Sequence, residues 1–145
     1  MITDKAINIL HVEDSEEHVV LMRRALERGK LKSRLTVARD GKAALELLHN
    51  LGVYADKVQY PRPDLILLDL KLPKVSGLEI LEHIRHDETL KTIPVVILTA
   101  SDEGADIVNA YLGGADSYFT KSIFYLGKGA DPTAILETAM AMAGA

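Results

Sequence analysis

Cysteine and tryptophan are both absent from these 145 residues, and only 5% of the chain is aromatic. Without cysteine there can be no disulfide, no thiolate metal site and no cysteine nucleophile. A core of this composition must be mostly aliphatic. Long apolar runs are missing too. The longest, such as Leu65–Leu68 and residues 93–98, fall far short of the ~20 residues that cross a bilayer. The first seven residues carry Asp4 and Lys5 and show no signal-peptide core. Nor is there an excess of positive charge. The formal net charge of −4 argues against broad electrostatic binding to nucleic acid or anionic lipid. A reducing cytoplasm is the expected location, with neither nucleic acid nor membrane as partner. What is present suits one domain, since about 100–200 residues per domain is usual. With 48% hydrophobic and 26% charged residues, the chain can bury a core and remain hydrated.

Short apolar runs alternate with stretches of helical spacing. Ile7–Val12, Leu65–Leu68, residues 94–99 and the weaker Ser117–Thr120 read as strands, with residues 35–38 as a fifth. Between them, Val19, Met22 and Leu26 mark one helix, and Ala44, Leu47, Leu48 and Leu51 a second. Leu78, Leu81 and Ile84 mark a third; Ile107, Ala110 and Tyr111 a fourth; Ile135, Leu136, Ala139 and Met142 a fifth. Ser76-Gly-Leu-Glu79 has the form of a capping box, and Asp131-Pro132 places an N-cap before a proline at the first helical position. Gly113-Gly114 closes the fourth helix. Residues 52–63 read as a long exposed loop. Strict alternation of strand and helix implies crossover units and a parallel sheet buried on both faces. The expected fold is α/β: a five-stranded parallel sheet in a doubly wound, three-layer sandwich. Ligands in that class sit beyond the carboxyl ends of the strands, where strand order reverses.

Polar residues close the strands at that rim. The first strand runs into Glu13-Asp14, the third into Asp69, the fourth ends at Thr99, and the fifth leads through Thr120 to Lys121. A carboxylate directly behind four aliphatic residues lies at a strand's end or is buried unpaired, and the second option is expensive. Gathering Glu13, Asp14 and Asp69 concentrates negative charge and raises carboxylate pKa values unless a cation is present. An oxygen-only donor set favours a hard ion, Mg²⁺ rather than Zn²⁺. Thr99 and Lys121 then offer a hydroxyl and an ammonium to an anion attached at Asp69. That is the electrostatic kit of phosphoryl transfer, with Asp69 as carboxylate nucleophile. Each residue alone has a blander reading: Asp69 as a turn residue, Glu13-Asp14 as helix caps, Thr99 as a strand end, Lys121 as a solvated lysine. Only the ensemble is specific.

The ensemble resembles the receiver domain of bacterial two-component response regulators, the CheY-like (flavodoxin-like) fold, over essentially the whole chain. Glu13-Asp14, the stretch from Leu67 through Asp69 to Pro73 with Gly77 beyond, Leu98-Thr99-Ala100, and the stretch from Gly114 through Tyr118 to Lys121 carry the likeness. The resemblance implies phosphorylation of Asp69 by a histidine kinase. It also implies Mg²⁺ held by Asp14, Asp69 and the main-chain carbonyl of Lys71, with Glu13 acting through water. Thr99 and Lys121 would contact the phosphoryl group, and Tyr118 would be the switch aromatic that turns inward when Thr99 moves. Two departures stand out. Ser122 follows the lysine where the family usually has proline, which leaves the isomer of the Lys121–Ser122 bond open, and the acidic pair is Glu-Asp rather than Asp-Asp. The Lys-Ser pair, the 52–63 loop and Leu72-Pro-Lys74 are similar to single-domain regulators that partner phytochromes, so a phytochrome is the expected kinase.

The rivals are weaker. A haloacid-dehalogenase-like phosphatase would place a second Asp two residues after the nucleophile, where this chain has Lys71. A flavodoxin-type flavin carrier would need a phosphate loop where Glu13 and Asp14 stand. His83 and His86, three apart on one helix, read as a solvated pair, His11 as a packed or edge histidine, and the basic stretch from Arg23 to Arg34 as a wet helix face. The chain ends shortly after its last expected helix, so residues 1–145 read as one receiver without an effector domain. It is a phospho-accepting signalling module rather than an enzyme, catalysing only its own phosphotransfer and dephosphorylation. A homodimer through the fourth helix, fifth strand and fifth helix is expected, with Ile123, Phe124, Tyr125 and Leu126 as an apolar contribution to that face; packing beneath the fifth helix is their alternative.

Overall fold

The computed structural model describes residues 6–29, 31–126, 134, 136, 137 and 141. In chain order it forms β1 (Ile7–Val12), α1 (Glu16–Arg28), β2 (Ser33–Ala38), α2 (Gly41–Leu48), a 3₁₀ turn (Gly52–Tyr54) and β3 (Leu65–Leu68). There follow α3 (Gly77–His86), β4 (Val95–Thr99), α4 (Gly104–Leu112), β5 (Ser117–Thr120) and α5 (Lys121–Leu126). The five strands are parallel in the order β2-β1-β3-β4-β5. Strand order therefore reverses between β1 and β3, which sets the carboxyl ends of β1, β3 and β4 side by side. No helix among the described residues is long and apolar enough to cross a membrane.

Two apolar layers sandwich the sheet. One gathers Leu10, Val12, Ile66, Leu68, Val95 and Ile97 against Leu47, Ile80, Leu81 and Ile84. The other gathers Ile9, Leu65, Leu67, Val96 and Leu98 against Met22, Leu26, Phe124 and Leu136. Alternate residues of each central strand face opposite layers, so Leu65–Leu68 is fully buried without any polar interruption. Val19 and Met22 of α1, and Ala44, Leu47 and Leu48 of α2, are buried as their spacing predicts. Leu51 and Tyr111 are not: they stand about half exposed, Leu51 beyond the end of α2 and Tyr111 on the outer side of α4. His11 lies on a central strand and is packed, not at an edge. Burial, reinforced by the Lys121 charge, drives its pKa down to about 3.

Local chemistry sets the helix ends. The hydroxyl of Ser76 accepts from the amide of Glu79, the Ser15 hydroxyl from that of His18, and the Asp40 carboxylate from that of Ala43. The Asp131 cap lies outside the described residues, as do Ile135, Ala139 and Met142 of the expected fifth helix; Leu136 of that set is helical and buried. Residues 52–63 are more ordered than a free loop: the Asn50 amide donates to the carbonyls of Tyr54 and Tyr60, whose rings meet edge to face. Lys121–Ser122 is trans, since no peptide bond among the described residues is cis.

Of the two readings of Phe124, the structure shows the packed one. It is 1% exposed and packs beside Leu136 in the core, so the chain turns straight from β5 into α5 and aims this ring inward. Phe124 offers nothing to an outer face. Phe124→Ala should therefore cost about 3–5 kcal/mol of unfolding free energy in urea titration. A loss below about 1 kcal/mol would mean the ring is not packed as described.

Candidate functional site

Four strand ends and one tight helix start assemble the site. The amide of Asp69 donates to the carbonyl of Val12 at 3.2 Å, which ties the end of β3 to that of β1 just before Glu13-Asp14. Gly77 opens α3 directly against the backbone of Asp69 and Leu70. A Cβ there would come within 2.1 Å of the Asp69 carbonyl oxygen. Only hydrogen fits, and that fixes the loop after Asp69.

Asp69 is 6% exposed and both its carboxylate oxygens are engaged. Thr99 Oγ1 donates to Oδ1 at 2.7 Å, and Lys121 Nζ donates to Oδ2 at 2.9 Å. The amide of Lys71 adds a third donor to Oδ1 at 3.2 Å. Lys121 Nζ also lies 2.7 Å from Glu13 Oε1, and Glu13 is fully buried. Burial disfavours the Lys121 ammonium, but its hydrogen bonds to Glu13 and Asp69 outweigh this and raise its pKa above the ordinary lysine range. Burial also raises the Glu13 carboxyl, and Lys121 pulls it back only in part. Asp14 points into solvent, and one oxygen from each of Glu13, Asp14 and Asp69 lies within 4.8 Å of the others.

These carboxylates, the Thr99 hydroxyl and the Lys121 ammonium come together as their strand-end positions predict. The Lys71 side chain is exposed, and its amide rather than its ammonium reaches Asp69. Tyr118 sits on β5, half-buried, with its hydroxyl donating to the carbonyl of Ser101 at 2.7 Å. The donor set fits Mg²⁺. It is all oxygen, with one exposed carboxylate beside one already pinned, and so leaves room for the waters this ion retains.

His18 is the member that sequence reasoning missed. Its Nδ1 lies 2.9 Å from Lys121 Nζ, and its ring stacks on Tyr125 at 6.4 Å between centroids. The signal was its place at the third position of α1, capped by Ser15, which directs it back toward the end of β1. Lys121 thus faces two carboxylates and an imidazole.

A parallel sheet with the order 2-1-3-4-5, carrying an acidic cluster, a hydroxyl and a lysine at its switch point, defines a class of phosphoryl-accepting α/β domain. A family model described as the response regulator receiver domain matches residues 9–125. The chain is 42% identical over 114 residues to the response regulator Rcp1 of Synechocystis sp., covering 79% of this chain and 76% of that protein. The crystal structure of the Mn(2+)-bound form of Rcp1 matches with a TM-score of 0.73 at 34% identity, covering 94% of this chain and 91% of that one. The bacteriophytochrome response regulator AtBRR matches with a TM-score of 0.77 at 36% identity, covering 97% and 94% of the two chains. The phosphorylated cyanobacterial phytochrome response regulator RcpA gives 0.74 at 35% identity, over 95% and 91%. The chain belongs to the response-regulator receiver family of two-component signalling.

Asp14 and Glu13 are expected to contribute unequally to the metal site, because Asp14 is open to solvent whereas Glu13 is buried and held by Lys121. Asp14→Ala should abolish Mg²⁺ binding in a divalent-ion titration, and Glu13→Gln should only weaken it. Equal affinity in both variants and the parent would place the metal elsewhere.

Proposed function

We propose that Asp69 receives a phosphoryl group from a phosphohistidine of a sensor kinase, and that Thr99 and Lys121 convert that event into a change of surface. The observation that supports this most directly is the clamp itself, with Thr99 and Lys121 side chains donating to opposite oxygens of a nearly buried carboxylate. One Asp69 oxygen attacks phosphorus as the bond to the kinase imidazole nitrogen breaks. The electron pair returns to the imidazole, and an acyl phosphate forms on Asp69. Asp14, Asp69 and the main-chain carbonyl of Lys71 would hold Mg²⁺, with Glu13 acting through water, and the ion would supply charge neutralisation for the phosphoryl group. Lys121 follows the new anion without leaving the pocket, because its ammonium already lies among acceptors. Thr99 exchanges Asp69 Oδ1 for a phosphoryl oxygen. Water attack on the acyl phosphate later restores Asp69 and releases phosphate.

Thr99 ends β4 two residues before Ser101, whose carbonyl holds the Tyr118 hydroxyl. A shift of Thr99 therefore reaches Tyr118 through two peptide units, at a ring that already packs against the layer of β4 and α4 and is held there by Ser101. The outer face of α4 carries Val108, Tyr111 and Leu112 at 56%, 50% and 80% exposure. This face, rather than Phe124, is the apolar surface through which a second copy docks. A phytochrome kinase is the proposed donor. The support is the likeness over nearly the full chain to two regulators described as phytochrome and bacteriophytochrome response regulators.

With a small phosphodonor and Mg²⁺, intact mass should rise by one phosphoryl group that hydroxylamine removes. Equal labelling of Asp69→Asn would show that the acceptor lies elsewhere. Leu112→Glu should shift sedimentation toward monomer in the presence of a phosphoryl mimic. A monomer in every state of the parent protein removes the α4 contact from the proposal. Faster phosphotransfer from an unrelated kinase than from a phytochrome kinase would reject the phytochrome assignment.

A further inference from the structure

At the opposite end of the strands from Asp69, three ligand atoms of different origin converge. In crossover units the helices run antiparallel to the strands, so helix C-termini lie at the far rim from the strand ends. His49 is the C-cap of α2, Asp87 is the C-cap of α3, and His83 lies one turn before Asp87. His49 Nε2 and His83 Nε2 are 2.7 Å apart, with their rings edge to face. Asp87 Oδ2 stands 3.8 Å from His49 Nε2, and the three ligand atoms lie within 4.8 Å of one another. His83 thus pairs with a histidine 34 positions away, not with His86, whose Nδ1 turns to the carbonyl of Glu82.

We propose that His49, His83 and Asp87 form a site for a divalent transition ion of the Zn²⁺ class, distinct from the Mg²⁺ site at Asp69. Two imidazole nitrogens and one carboxylate oxygen are the donors this class selects, with remaining positions left to water. At metal–nitrogen distances near 2.05 Å, tetrahedral ligands sit about 3.3 Å apart, so the imidazoles need open by only about half an ångström. Two facing Nε2 atoms at 2.7 Å cannot both carry hydrogen; a metal satisfies both lone pairs at once. Asp87 is oriented for the task. Its Oδ1 accepts from the amide and hydroxyl of Thr89 at 2.8 and 2.6 Å and from the amide of Leu90 at 3.1 Å, which leaves Oδ2 to face the histidines. Those bonds also hold the Asp87 carboxyl below its ordinary pKa. The C-terminal ends of α2 and α3 both present the negative pole of their backbone dipoles to this point, which favours a cation.

Calorimetric titration of the protein with Zn²⁺, in excess Mg²⁺, tests the site. An Asp14→Ala, Asp69→Asn background removes the acidic cluster. One Zn²⁺ should bind per chain in that background. His49→Ala or His83→Ala should each weaken it by more than the ~10–100-fold typical of losing an outer-shell partner. His86→Ala should leave it unchanged. Co²⁺ should give visible absorption that the same two variants abolish. The site is overturned if Zn²⁺ does not bind in the double variant, if binding survives His83→Ala, or if His86→Ala weakens it equally.

Discussion

The organising interaction is the three-way hold on the Asp69 carboxylate. A carboxylate this buried is costly unless each oxygen finds a donor. Here the donors come from other parts of the fold: a hydroxyl ending β4, an ammonium following β5, and the amide of Lys71 in its own loop. The first two depend on the strand order. If β3 were not flanked by β1 and β4, neither Glu13 nor Thr99 would reach Asp69. The paired, buried strands behind the site keep those ends in register, and Gly77 lets α3 start close enough to fix the loop that carries Lys71.

The site is also electrostatically unfinished. Among the described residues, Glu13 and Asp69 share the Lys121 ammonium with Asp14 close by, and burial raises Glu13 despite its contact with Lys121. Such a cluster has affinity for a hard cation and, with that cation, for an added phosphoryl group. Charge introduced at Asp69 competes directly for Thr99 and Lys121. This is why a receiver's chemistry and its signal reside in the same few atoms. The other end of the sheet is built differently, from helix C-termini and imidazoles, and suits a softer ion. One sheet separates the two donor sets.

Much of this was legible in the residues. Leu65–Leu68 followed by Asp69 announces a buried strand ending in a carboxylate, and the same logic places Glu13, Thr99 and Lys121. The contacts of Phe124 and His83 stayed open for one reason. Local spacing cannot say which neighbour a side chain meets across the fold. The apolar run after Lys121 could be read as surface or as packed; it forms a short helix whose Phe124 ring enters the core. His18 escaped notice because its partner, Lys121, is 103 residues away.

Pattern alone determined the alternation of elements, the aliphatic core and the polar residues closing each strand, because burial and backbone pairing are written in periodicity. The distances that make these residues a site were decided only when the sheet closed around its switch point. There Asp69 gained Thr99 across 30 residues and Lys121 across 52, and His49 gained His83 across 34. Contacts of such separation follow from strand order and helix packing, which no local stretch of sequence encodes by itself.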